Sequence, residues 1–142
     1  MSGISLDQAQ AMVAGARAKG REMGLKPLSV AVLDAGGHLL AFEREDGASP
    51  GRFEIARGKA YGAVMLGMPG SAQMARAEGQ AYFMAAVNGA FGGKVVPVPG
   101  GVLVRDAAGA VIGAVGVTGD TSENDAEAAV AGIEAAGLAA LA

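Results

Sequence analysis

The chain has 142 residues, 51% hydrophobic and only 4% aromatic, with 24 glycines, no cysteine and a formal net charge of -3. That length suits a single domain spanning 1–142 with its own core of Ala, Val, Leu, Ile and Met, and the missing cysteines exclude a disulfide framework, thiol catalysis, iron–sulfur ligation and any cysteine-based zinc site. No Lys/Arg cluster interleaves with aromatics and no apolar run approaches the roughly 18 residues of a membrane span, so neither nucleic acid nor a membrane is an expected partner, and the cytoplasm is the expected location.

Met1-Ser2-Gly3-Ile4-Ser5 lacks a charged segment followed by a long apolar one, so no export signal is expected. Ser5-Leu6-Asp7-Gln8 has the pattern of a helix-start capping box, and Leu6, Ala9, Met12, Val13 and Ala16 continue at helical spacing towards Gly20 to Gly24. Leu28 to Leu33, the turn residues Asp34-Ala35-Gly36-Gly37 and His38 to Glu43 then read as a β-hairpin. After Gly47 to Gly51, Phe53 to Leu66 reads as a helix, and Ser71 is placed to cap another that reaches about Asn88. Lys94 to Val98 is β-prone, but Pro97 and Pro99 cannot donate to a ladder, which assigns it to a sheet edge or a loop. Val102 to Arg105, Asp106-Ala107-Ala108-Gly109 and Ala110 to Thr118 form a second hairpin pattern, and Thr121 or Ser122 caps a last helix with Ala129, Val130, Ile133 and Ala136 on one stripe. This order predicts an α+β fold with a mainly antiparallel sheet of about five strands, counting the edge piece.

Gly113-Ala-Val-Gly116-Val-Thr-Gly119 lies between a strand and a helix as a phosphate loop would, but it has no Lys and matches neither nucleotide-binding spacing. Acidic Asp120, Glu123 and Asp125 would repel a phosphate there, so the glycines are read as points where a helix or a second chain approaches the strand. His38 is the sole histidine, which rules out any site needing two imidazoles. Strand alternation would put His38, Leu40, Phe42 and Arg44 on one face. Lys59 shares a helical stripe with Ile55 and Ala63 on the side expected to meet the sheet. Its ammonium either reaches a carboxylate in a pocket or escapes to water or to Glu43 or Asp46. Glu123 and Asp125 suit a helix start through the macrodipole alone, and beside a cation either would also serve as a general acid or base. Met65, Met68, Met74 and Met84 read as core filler, with an axial haem ligand the alternative for one of them.

Several of these segments together resemble the GlcG/HbpS family, the haem-binding-protein-like domains that also form the C-terminal part of PduO-type corrinoid adenosyltransferases. They are Leu28 to Leu40, Arg44-Glu-Asp46-Gly47-Ala48, Ala56 to Ala60, Pro97-Val-Pro99-Gly100-Gly101-Val102, Gly109 to Val117, and Asp125 leading into the last helix. The resemblance implies a profilin-like fold, assembly into dimers or larger oligomers, and association with haem or a corrinoid. Some members resemble extracellular haem sensors and others lyases acting on aromatic hydroxylamines without a cofactor. The chain departs from the family pattern at Gly62, where a threonine often stands, and at Thr118-Gly119-Asp120, where a serine and further glycines are frequent.

Three functions follow as expectations. The first is an oligomeric small-molecule-binding domain for haem or a related tetrapyrrole, with His38 as axial ligand, Arg44 and Lys59 on the propionates, and Gly100 and Gly101 beside the ligand. The second is a cofactor-independent lyase or isomerase of a small aromatic or hydroxy acid, with Arg44 or Lys59 anchoring the carboxylate and Glu123 or Asp125 moving the proton. The third is a non-catalytic structural oligomer.

Overall fold

In the computed structural model, which describes residues 3–142, the capping box at Ser5 forms as its sequence requires. The Gln8 amide donates to Ser5 Oγ at 3.1 Å and the Ser5 amide to Gln8 Oε1 at 2.9 Å, and helix α1 runs over Leu6–Glu22. The expectation of no export signal rests partly on Met1 and Ser2, which lie outside the described residues. Among the described residues no helix is long and apolar enough to cross a membrane.

Strands β1 (Ser29–Asp34) and β2 (Leu39–Arg44) make the first hairpin. Asp34 Oδ1 closes their turn by accepting from the amides of Gly36 and His38, both at 2.9 Å. Three helices follow: α2 (Arg52–Leu66), α3 (Gly70–Gly79) and α4 (Ala81–Ala90). The second hairpin is β3 (Gly101–Arg105) with β4 (Val111–Thr118), succeeded by α5 (Ser122–Ala135) and β5 (Ala139–Leu141). The strands form one antiparallel sheet in the order β2-β1-β4-β3-β5, so the chain is a single α+β domain.

Helices α1 and α5 cover one face. There Val30, Val32, Val102, Val104, Val115 and Val117 meet Met12, Ala16, Ala129 and Ile133 in the main core; each buried valine contributes about 1.5–3 kcal/mol by removal from water. The opposite face packs Leu33, Leu103 and Ala114 against Ala60 and Ala63 of α2. That helix lies very close to the sheet, because a Cβ at Gly116 would overlap the Ala56 carbonyl and one at Gly101 the Lys59 carbonyl. Gly116 therefore does admit a helix, as its place in the sequence suggested.

Several elements differ from their sequence pattern. The helix expected to start at Ser71 starts at Gly70 after Pro69 and is broken at Gln80, whose φ of -141° is not helical, so it becomes two helices. Lys94 to Val98 forms no strand; the Val96 amide donates to the Gly58 carbonyl at 3.2 Å, tying this segment to α2. The fifth strand is instead the C-terminal β5, whose Ala-Ala-Leu offers no β signal. Along β2, Val32 pairs with Ala41 but Leu33 with Leu39, so Leu40 is bulged out of register. Leu40 consequently packs into the α1/α5 core while Phe42 meets Phe53 of α2. The bulge, invisible to alternation, splits the single face expected for His38, Leu40, Phe42 and Arg44.

Candidate functional site

The sequence-predicted site residues fall into two separate places. Lys59 points from α2 past Gly100 and Gly101 to the far end of β4, where its Nζ donates to the Val117 carbonyl at 3.0 Å and to Asp125 Oδ2 at 3.2 Å. The other oxygen of Asp125 accepts from the Asp120 amide at 2.9 Å. With Lys59 3% and Asp125 1% exposed, burial pushes the lysine down and the carboxyl up, each towards its neutral form, against their mutual attraction. The carboxylate that Lys59 meets is thus the protein's own, and Glu43 is engaged elsewhere, with Arg17 at 2.6 Å.

Gly100 and Gly101 serve this lysine directly. Gly100 has φ +114°, and a Cβ there would lie 2.9 Å from Lys59 Nζ. Neither the cavity of about 510 Å³ between Ile4, Asp34, Gly36, Leu40 and Ile112 nor that of about 220 Å³ between Arg17, Arg21 and Glu45 is lined by Lys59, Asp125 or Glu123. Glu123, in the first turn of α5, is exposed.

The second place is the strip between β2 and the outer side of α2. At one end His38 stands on the β1–β2 turn with its side chain 82% exposed and Nδ1 3.4 Å from Asp34 Oδ1. A carboxylate on one ring nitrogen orients the imidazole and leaves the other free. The two backbone amides that Asp34 accepts hold its carboxyl below the usual range, the His38 amide foremost. Neighbouring Gly37, at φ +81°, comes so close to Tyr61 and Met65 that a Cβ would collide with the Met65 methyl. Tyr61 also meets Phe91 edge-on at 5.9 Å and lies under Lys94 Nζ at 5.5 Å. Leu39, 48% exposed, pairs with Leu33 on the α2 face, whereas the imidazole meets Asp34 and Gly36, which line the cavity of about 510 Å³ with Ile4, Leu40 and Ile112.

The opposite end of β2 carries Arg44, roughly 18 Å from His38 at ~3.3 Å per strand residue. Phe42 packs edge-on against Phe53 at 4.8 Å, and the Arg57 guanidinium sits 5.3 Å from the Phe53 ring. The structure therefore does not bring His38, Arg44 and Lys59 together. Sequence reasoning missed Tyr61 and Lys94; aromatic-to-cation neighbours on different elements leave no local spacing signal. Of the methionines, Met84 is buried at 4% and Met65, Met68 and Met74 are half-buried.

Residues 4–134 match the family described as "Haem degrading protein HbpS-like". The chain belongs to that family. This HbpS-like domain is similar to the PduOC:Heme complex, at 24% identity and a TM-score of 0.83 over 94% of this chain and 95% of that one. It is also similar to the Klebsiella pneumoniae protein ORFY, at 28% identity and a TM-score of 0.83 over 96% and 92% of the two chains. HbpS itself matches at 28% identity and a TM-score of 0.81 over 94% and 90%. No curated protein matches the sequence.

Proposed function

We propose that this HbpS-like domain binds haem or a related tetrapyrrole, with His38 as the residue that would ligate the iron. The observation that carries the reading is that the sole imidazole of the chain is solvent-exposed, braced by Asp34 and beside the cavity of about 510 Å³ that Asp34 and Gly36 line with Ile4, Leu40 and Ile112. The residues fit the group: Ile4, Leu40 and Ile112 in that cavity offer apolar surface for a macrocycle. The Lys59 ammonium is engaged by Asp125 and Val117 instead. Among the described residues no group of three His, Cys, Asp or Glu side chains is placed to hold a metal. A ligand bound there makes the domain a carrier or sensor, and the family's haem-named relatives support that reading.

The domain also acts as a homo-oligomer. Helix α4 carries no charged residue, buries only Met84 and leaves Tyr82 75% exposed beside exposed Ala81, Ala85 and Ala86. Such a surface suits a second copy of the chain better than water. Sedimentation velocity on the wild type and Tyr82→Glu reads this directly; a wild-type monomer at all concentrations removes the assembly.

The haem reading is tested by titrating haemin into the purified protein and following the Soret band. Saturable binding that is lost or spectrally shifted in His38→Ala supports it. An identical spectrum in the variant would show that another group meets the iron, and no saturable band would remove haem as the ligand.

A further inference from the structure

The end of the strip away from His38 holds a second arrangement, built where four chain segments converge. Ser29 opens β1 and pairs across the sheet with Arg44 of β2 on one side and Thr118 of β4 on the other. Directly paired residues share a face, and because the adjacent Val30 and Val117 enter the α1/α5 core, Ser29, Arg44 and Thr118 face α2. The first residue of that helix, Arg52, lies over the row and donates from Nη1 to Thr118 Oγ1 at 2.9 Å. The N-terminus of this 15-residue helix has no side-chain cap, so its leading amides are unanswered by protein side chains.

Two further observations point to a ligand. Ser29 is fully buried, yet its hydroxyl has no hydrogen-bond partner, an arrangement that protein interiors rarely leave in place. Arg57 Nε, one turn into α2, is likewise buried without a partner. Among the described residues Arg44, Arg52 and Arg57 form no ion pair, whereas Arg17, Arg21 and Lys59 all do. In a chain of net charge -3, Arg52 at Thr118 and Arg44 opposite Ser29 bring unpaired positive charge to the end of the sheet where α2 starts, although the first turn of that helix also carries Glu54. The wall beside them is apolar, being the edge-on pair of Phe42 and Phe53.

We propose that the start of α2 is an oxyanion site for the carboxylate of a small apolar acid, held by Arg52 and Arg44 with the leading amides of α2, and with the Ser29 and Thr118 hydroxyls beneath. The apolar wall selects the acid's body and the arginine forks its head. The site stands about 14 Å along α2 from Tyr61, at ~1.5 Å per residue, and is independent of haem binding at His38.

The test is a titration of 15N-labelled protein with sodium benzoate, and separately with inorganic phosphate and acetate, read from the amide resonances of Ser29, Phe53 and Glu54. Benzoate is expected to give saturable shifts confined to these residues and their neighbours. Arg52→Gln and Arg44→Gln should each weaken binding about tenfold or more, the effect of removing one charge-assisted contact, while Arg76→Gln on α3 should leave it unchanged. Two variants are used because Arg52 also holds Thr118, and an unaltered spectrum of the Arg44 variant would show that the fold is intact. No saturable shift with benzoate, or affinity untouched by both substitutions, overturns the site. Tighter binding of phosphate than of benzoate overturns the carboxylate assignment.

Discussion

The buried ion pair beneath Gly100 and the strip between β2 and α2 both carry charge, and they use it in opposite ways. At the pair, Lys59 and Asp125 have three hydrogen bonds, to β4, to the Asp120 amide and to each other, with both side chains almost wholly buried. Along the strip, His38 is exposed and Arg44, Arg52 and Arg57 have no carboxylate partner among the described residues. Charge that the protein satisfies internally joins one face of the sheet to the other, because Lys59 belongs to α2 and Asp125 to α5. Charge that it leaves unsatisfied is available to a ligand.

The largest way to break that contrast is to remove the lysine. Lys59→Ala strands a buried carboxylate and leaves a void, and should destabilise the domain by about 3–5 kcal/mol. Denaturant unfolding measures this, and a loss below about 1 kcal/mol would mean that the pair does not hold the fold. The double variant Lys59→Met with Asp125→Asn should recover much of the loss, since a neutral amide still accepts from the Asp120 amide and no lone charge stays buried.

The opposite substitutions sharpen the comparison. His38→Ala and Arg44→Gln, both at exposed positions without protein partners that bury them, should change unfolding free energy by no more than about 0.5 kcal/mol. A cost above about 1.5 kcal/mol for either would show that the strip, too, is structural.

How far the sequence foretold this division depends on the range of the interactions. The capping box at Ser5, both hairpin turns and the Thr121 cap of α5 are local, so they could be read residue by residue. Lys59 was legible as an anomaly, a cation on a stripe facing the sheet, but its partner lies 66 positions away and no spacing rule names it. The oxyanion site was less legible still. Arg44 was singled out, yet Ser29, Arg52 and Thr118 come together only through strand pairing and the approach of α2 over Gly116. The bulge at Leu40 reversed the face on which part of β2 was expected because register is set by the partner strand, not by the strand's own alternation.

The smallest expected effect lies at the rim of the buried pair, in the loop that Asp125 anchors. Asp120 Oδ1 accepts from the Lys26 amide at 3.1 Å, and Oδ2 from the Thr121 amide and the Asn124 side chain, both at 2.9 Å. These donors, the Asn124 amide foremost, lower the Asp120 carboxyl from 3.8 to about 2. A folded-state pKa below the unfolded value means that the unfolded chain takes up the proton first. The stabilisation is therefore fully present above about pH 4 and is lost as the pH falls towards 2. Asp34 is lowered in the same direction, whereas burial pushes Asp125 the opposite way. Asp120→Asn should thus make stability fall less steeply between pH 4 and 2 without abolishing the slope, as read from unfolding midpoints across that range. In the wild type the Lys26 and Thr121 amide resonances should titrate together with a midpoint well below 3.8. Midpoints at the ordinary carboxylate value, or a slope unchanged by the substitution, would show that this loop is held by Asp125 alone.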